Sequence, residues 1–316
     1  LKRILIIAAC VTVSLLLAGA ILDNSYKKYW WPFFDKLDVA IKDSTYYDGI
    51  YLGDSRVHFG INPYYVDSVT GLQSYNLGMG GAPIHEIHFL ANAYLQKHRS
   101  PRFAVLSVGH SNLLEPDRFF ENPCYYFFYL SDTGTNRVLQ DLRYHTRLYK
   151  ILPAAKYTAF DDFNKFSIAE SWKGNTIVKK AGVVYRGFIN NTSNAFNAAN
   201  MEKETAGDTA WYAGILTLEA TLRLFQQKKT LPVLVYPPAT NQGKPAKTAT
   251  AARIDSAIAV LASRYNTPVL HFDNDPSFSH DFFTDPWHLN IRGTILYSQK
   301  MGAAITTILN QKTGEK

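Results

Sequence analysis

The chain has 316 residues, a formal net charge of +7, an apolar share of 47%, an aromatic share of 14% and two cysteines. That length allows one large domain with an insertion or two modest ones, and cysteines at positions 10 and 124 alone exclude a disulfide framework. The basic residues are scattered, with no run of the kind a nucleic-acid arm needs, so a moderately basic surface suits anionic lipid headgroups or envelope polymers instead.

After Lys2 and Arg3, the run ILIIAACVTVSLLLAGAIL (Ile4 to Leu22) carries no charge. At ~1.5 Å per residue a helix of that length spans nearly the ~30 Å hydrocarbon layer. Beyond Asp23, residues Tyr26, Tyr29, Trp30 and Trp31 read as an aromatic belt at the headgroups. A retained single-pass anchor is expected; a cleaved signal peptide, with Ala18-Gly19-Ala20 as its small-residue site, is the competing reading. Ile7-Ala8-Ala9-Cys10 has the look of a lipoprotein box, but the apolar stretch before Cys10 is too short for a signal core. Lys2 and Arg3 favour an N-terminus inside, which puts the body on the extracytoplasmic (periplasmic) side of the cell membrane.

Past the anchor, short β-rich apolar runs alternate with helical patterns, as in a parallel sheet covered on both faces. Strands are expected at Gly49 to Gly53, Leu72 to Leu77, Arg102 to Val108, Leu231 to Tyr236 and Pro268 to Phe272, and helices near His85 to Lys97, Asp208 to Lys228, Ala246 to Tyr265 and Ile291 to Gln311. The fold class is thus α/β, a three-layer α/β/α arrangement on a five-stranded parallel sheet with an N-terminal transmembrane helix. The domain plan is an anchor or signal segment over 1–24, a juxtamembrane linker over 25–48, and an α/β domain made of 49–112 and 208–316. The interval 113–207 is too long for one crossover and reads as an inserted, mainly helical and loop subdomain. Within it YRGFINNTSNAFNAAN is expected to be a mobile loop, and PPATNQGKPAK a second loop on the ligand side of the sheet.

Ligands of open parallel sheets bind outside the carboxyl ends of the strands, so the residues just after strands matter most. These are Gly53-Asp54-Ser55 after the first, Asn76-Leu77-Gly78-Met79-Gly80-Gly81 after the second, and Gly109-His110-Ser111-Asn112 after the third. Each has an ordinary explanation: a turn with a helix cap, glycines that admit positive φ, an Asn that forms a turn. Near the C-terminus Asp285 and His288 lie within one turn, where a carboxylate can fix an imidazole tautomer while the other ring nitrogen faces a serine. The glycines do not form G-x-G-x-x-G and no P-loop is present, so no cofactor is expected. His85-Glu86-Ile87-His88 lacks the H-E-x-x-H spacing and reads as a solvated helix face, so no metal site is expected.

In this order, Ser55, Gly81, Asn112 and Asp285-Pro-Trp-His288 resemble the blocks of the SGNH (GDSL-like) hydrolase superfamily, over Tyr51 to the last helix with the insertion outside the resemblance. The resemblance implies the flavodoxin-like SGNH fold, with Ser55 as nucleophile, His288 as general base and Asp285 as its orienter. It implies an oxyanion hole made by the Ser55 and Gly81 N–H groups and the Asn112 amide. Asp54, Arg56 and His110 beside these positions are expected to bind substrate. Asn112 departs from the family pattern, following Gly109 by three positions and preceding Leu113, with His110 and Ser111 as substitutes for the donor. The implied chemistry is that of an esterase, lipase, carbohydrate deacetylase or acyltransferase. The expected substrate is an acylated carbohydrate or lipid-like ester, foremost an O-acyl (acetyl) group of an envelope polysaccharide. Two alternatives stay open: O-acyl transfer with a membrane acyltransferase as partner, and a non-catalytic envelope scaffold or glycan-binding protein.

Overall fold

The apolar runs form strands at all five expected places. A computed structural model describes residues 1–114, 119–159, 162–177, 184–191, 210–244 and 248–313. Its strands are β1 (Gly49–Leu52), β2 (Ser74–Asn76), β3 (Phe103–Ser107), a short hairpin of β4 (Val184–Tyr185) and β5 (Phe188–Ile189), then β6 (Leu231–Tyr236) and β7 (Val269–His271). The main sheet has the order β2-β1-β3-β6-β7, and every pairing in it is parallel. This is the flavodoxin-like order, in which the chain winds outward in one direction from β1 and then in the other from β3.

In chain order the helices are α1 (Lys2–Tyr29), α2 (Trp31–Ile41), α3 (Ser55–His58), α4 (Pro63–Thr70), α5 (Ile84–Lys97), α6 (His110–Leu113), α7 (Pro123–Tyr126), α8 (Thr133–Asp141) and α9 (Thr146–Ile151). A 3-10 turn at Pro153–Ala159 leads to α10 (Asp162–Trp172), followed by α11 (Ala210–Gln227), α12 (Ala249–Arg264) and α13 (Ile291–Thr313). Side chains alternate across the sheet. Tyr51, Phe103, Val105, Leu231, Val233 and Val235 share one core with Val66 of α4 and Tyr297, Met301 and Ile305 of α13. Ile50, Leu52, Ala104, Leu106 and Leu234 turn the other way and are equally buried, on the face that α5 and α11 cover. Burial on both faces explains why these strands read as continuous apolar runs. The free edge of β2 is met by the hairpin, whose Arg186 carbonyl accepts the Asn76 N–H at 2.9 Å while the Arg186 guanidinium pairs with Asp67 at 2.7 Å.

The chain divides into two compact units, residues 1–35 with 122–180 and residues 36–121 with 181–316. The interval 113–207 is therefore shared: its middle belongs with the N-terminal helix and its hairpin with the sheet. The stretch 25–48, expected to be a linker, holds the end of α1 and the whole of α2. The aromatic belt is also corrected. Tyr26, Tyr29 and Trp30 are buried, because Tyr26 stacks on Phe128 at 5.7 Å and Trp30 meets Tyr125 edge-on at 5.8 Å. Aromatic pairing and area burial hold these rings inside the unit, and Trp31 alone of the four is exposed. Residues 192–200 of the expected mobile loop, and 245–247 of the second loop, lie outside the described residues.

Candidate active site

The turn after β1 separates capping from chemistry. Asp54 is the N-cap of α3, its Oδ1 accepting the Arg56 N–H at 3.0 Å, which leaves the hydroxyl of Ser55 at the first helical position for other partners. That hydroxyl lies 2.7 Å from His288 Nε2, and His288 Nδ1 lies 2.7 Å from Asp285 Oδ2. The second carboxylate oxygen, Asp285 Oδ1, accepts the N–H groups of Trp287 and His288, both at 2.9 Å. Burial opposes charge on Asp285, but the bond to the His288 ring, its charge and these two N–H groups outweigh it, so the carboxyl titrates below its usual range.

The loop carrying His288 is braced on both sides. The Thr284 N–H reaches the His288 carbonyl at 2.8 Å, and Phe283 bridges to Leu289. The Trp287 indole donates to the Gly243 carbonyl at 2.9 Å, while the Thr240 N–H reaches the Pro286 carbonyl at 3.0 Å. Trp287 thus ties two loops together, and it is Phe59 that meets the imidazole, edge-on at 5.9 Å.

The loop after β2 lies alongside the Ser55 turn because its Met79 N–H bonds the Gly53 carbonyl at 3.0 Å. Gly81 holds φ +72, and a Cβ there would lie 2.8 Å from Glu121 Cδ. The N–H groups of Ser55 and Gly81 have no hydrogen-bond acceptor among the described residues. Asn76 is a bracket. Its amide donates to the Val57 and Ile61 carbonyls at 2.7 and 2.6 Å, and its oxygen accepts the Gly78 N–H at 2.9 Å.

The third loop departs from the expected arrangement. Asn112 closes its own turn, its Oδ1 accepting the Gly109 N–H and its Nδ2 donating to the Ser107 carbonyl, each at 3.2 Å. The extra residue between Gly109 and Asn112 makes that turn a short capped helix, so only the second amide hydrogen is left for an oxyanion. His110 is turned away, its Nε2 lying 3.0 Å from Asp255 Oδ1, which also accepts the Tyr236 hydroxyl at 3.1 Å. Arg56 is brought in. Its guanidinium forms a fork on Asp54 with contacts of 3.1 and 2.6 Å, and it rests against Gly109, where a Cβ would sit 2.1 Å from Nη2. Burial disfavours the Asp54 carboxylate, but the Arg56 charge and bonds prevail and hold its pKa below the usual range.

Two features escaped the sequence reading. Lys36 of α2 is fully buried, and its ammonium donates to His58 Nδ1 at 2.6 Å and to the Gly78 carbonyl. Burial first and then the Lys36 charge push the His58 pKa well down, against the effect of the Gly78 carbonyl, so His58 is neutral and accepts from the lysine. The second feature is Glu121, whose carboxyl group flanks Gly81. Neither lies in a motif, since a lysine in an aromatic stretch and a glutamate far from any strand end carry no local signal.

His85 and His88 correct a further expectation. They face α11, with Nδ1 atoms 3.0 and 2.9 Å from the hydroxyls of Thr217 and Thr221, and burial lowers both pKa values. Among the described residues no group of three His, Cys, Asp or Glu is placed to hold a metal ion.

No family model and no curated protein matches the chain. Solved structures do. A protein described as lipolytic and of the G-D-S-L family, from Desulfitobacterium hafniense DCB-2, is 10% identical, with 81% of this chain and 97% of that one covered and a TM-score of 0.42. An acetyl xylan esterase is 14% identical over 81% of this chain and 98% of its own, with a TM-score of 0.41. A lipase/acylhydrolase from Enterococcus faecalis is 14% identical over 84% of this chain and 95% of its own, with a TM-score of 0.41. At such identities and scores the similarity is one of outline and bears on no residue's role.

Proposed function

We propose that the chain is an SGNH-type serine esterase acting through an acyl-enzyme, and one observation carries this reading: the unbroken relay Ser55–His288–Asp285, with both contacts at 2.7 Å. The Ser55 hydroxyl attacks the ester carbonyl carbon as its proton passes to His288 Nε2. The oxygen of the tetrahedral intermediate takes up the charge and meets the N–H groups of Ser55 and Gly81. Collapse breaks the bond to the alcohol, which leaves with the proton from His288, and the acyl group stays on Ser55. A water or sugar hydroxyl then adds to the acyl carbon and gives its proton to His288, and the serine is released.

The substrate class we propose is an O-acyl group on a polysaccharide. A polar cleft of about 470 Å³, lined among others by Asn241, Gln242, Lys244, Asp273 and His280, adjoins the Thr240–Gly243 turn that braces Trp287. Amide, ammonium and carboxylate groups in such number suit a hydroxyl-rich chain better than an acyl tail. We place the site outside the cytoplasm on a retained anchor: α1 is apolar enough to cross a membrane and runs unbroken through Ala18-Gly19-Ala20 to Tyr29. Anchorage also favours acyl transfer, with a membrane acyltransferase supplying the acyl group.

A fluorophosphonate probe tests the enzyme. Labelling of the folded chain that disappears in Ser55→Ala is the expected result; no labelling of folded parent protein would favour a silent glycan-binding scaffold, the reading to which the self-engaged Asn112 amide points. Comparing acetyl release from p-nitrophenyl acetate with transfer to an oligosaccharide separates water from sugar as acceptor.

A further inference from the structure

The N-terminal unit leaves several large apolar side chains uncovered. Ile151 is 78% exposed, Trp172 66%, Phe166 52% and Leu148 47%. They belong to α9 and α10, whose inward faces are already filled by Tyr149, Ser167, Ile168 and Ser171. Apart from the Trp172 indole N–H, which bonds Ser25, their uncovered surface takes no part in the packing of the unit.

Contacts along α1 fix the level at which these residues lie. Pro153 and Ala154 sit at Gly19, where a Cβ would come within 2.9 Å of the Ala154 nitrogen. Lys156 and Tyr157 sit at Asp23, each 2.7 Å from its carboxylate, about 6 Å further along the helix. The 3-10 turn therefore climbs away from the apolar stretch of α1, and α9, which precedes it, ends near the level of Gly19 with Ile151. Helix α10 climbs the same way, since the Trp172 indole donates to Ser25 at 2.7 Å and the Ile177 N–H to the Tyr29 carbonyl at 3.1 Å. Phe166, about 9 Å before Trp172, then stands beside Gly19 as well. Up to Leu17 the side of α1 is bare, and protein covers it only beyond.

We propose that α9 and the outer face of α10 form a collar around α1 that sinks into the headgroup layer of the bilayer this helix spans. The collar rests on the reading of α1 as a retained anchor. Lipid is the occupant because the uncovered side chains sit at the end of the segment that lipid must surround. Arg147, Lys150 and Lys173 are exposed nearby and match anionic headgroups. Lys165, exposed in the first turn of α10, keeps the collar at the interface and out of the acyl core.

The test uses the full chain with Cys10→Ser, reconstituted in vesicles of phosphatidylglycerol and phosphatidylcholine. An environment-sensitive nitrobenzoxadiazole probe is placed at Ile151→Cys or, as control, at Val260→Cys, an exposed position on α12. The collar predicts a blue-shifted probe at 151, quenched by lipids brominated near the headgroup, and a probe at 260 that is neither. Retention on membranes in alkaline carbonate with an aqueous, unquenched probe at 151 would overturn the collar alone. A shielded probe that bromine does not quench would also overturn it, in favour of a protein partner. Release of the chain by carbonate would overturn the anchor and the collar with it.

Discussion

The two oxygens of Asp285 have different partners, and this predicts what a near-isosteric change does. In Asp285→Asn the remaining oxygen can still accept the Trp287 and His288 N–H groups, so the turn keeps its shape. The new amide nitrogen, however, donates to His288 Nδ1 and drives the ring proton to Nε2, toward Ser55. A base that already carries its proton cannot accept another. Hydrolysis of p-nitrophenyl acetate should fall roughly 10³–10⁴-fold, with KM close to the parent's and the fold retained. A rate within a few-fold of the parent would show that Asp285 does not orient the base. Arg56, by contrast, is tied to Asp54 beside Ser55 and lies against Gly109, so it braces the turn as well as presenting a cation there.

Among the elements, the joint between α3 and the loop after β2 depends on one side chain. Asn76→Ala removes donors from the Val57 and Ile61 carbonyls and an acceptor from the Gly78 N–H, all in a buried setting. Leaving such groups unpaired costs on the order of 2–4 kcal/mol together, so urea denaturation should show a lower midpoint with an unchanged slope. The same bracket keeps Gly81 beside Ser55, and activity measured well below the transition should drop too. Elements of this kind were readable where burial is two-sided: β1, β3 and β6 are plain apolar runs, and Leu231–Tyr236 matches the expectation end to end. Strand β2 is shorter than expected, because pairing with β1 runs only from Ser74 to Asn76. The convergence of Ser55, Asp285 and His288 was readable from motif order. Lys36 was not, since nothing local shows that a lysine on α2 will be drawn inside by a histidine and a carbonyl far along the chain. The aromatics after Asp23 misled for a related reason: a Tyr/Trp cluster suits a headgroup layer and a protein core equally well, and only the rings of the segment around Tyr125 decide between them.

At the scale of the whole molecule, one buried and two half-buried histidines predict how stability falls on the acid side. His58, His85 and His88 all have pKa values depressed by burial, His58 the most because the Lys36 charge adds to it. The unfolded chain binds these protons near the ordinary histidine value of about 6.5, whereas the folded chain resists them. Their contribution is therefore complete above about pH 6.5 and is lost as pH falls below it, where the unfolded state holds more protons than the native one. Asp54 and Asp285, also depressed, bring a second loss only below the ordinary carboxylate value of about 3.9. The melting temperature should thus be level from neutral to about pH 6.5 and then decline through the range in which only histidines titrate. In a chain carrying His85→Gln and His88→Gln, whose amides can still pair with Thr217 and Thr221, the decline should be shallower and the His58 share should remain. Melting curves across pH 5 to 8 read this directly. A parent profile that stays flat down to the carboxylate range would mean that water or a rearranged Lys36 relieves these rings of their burial.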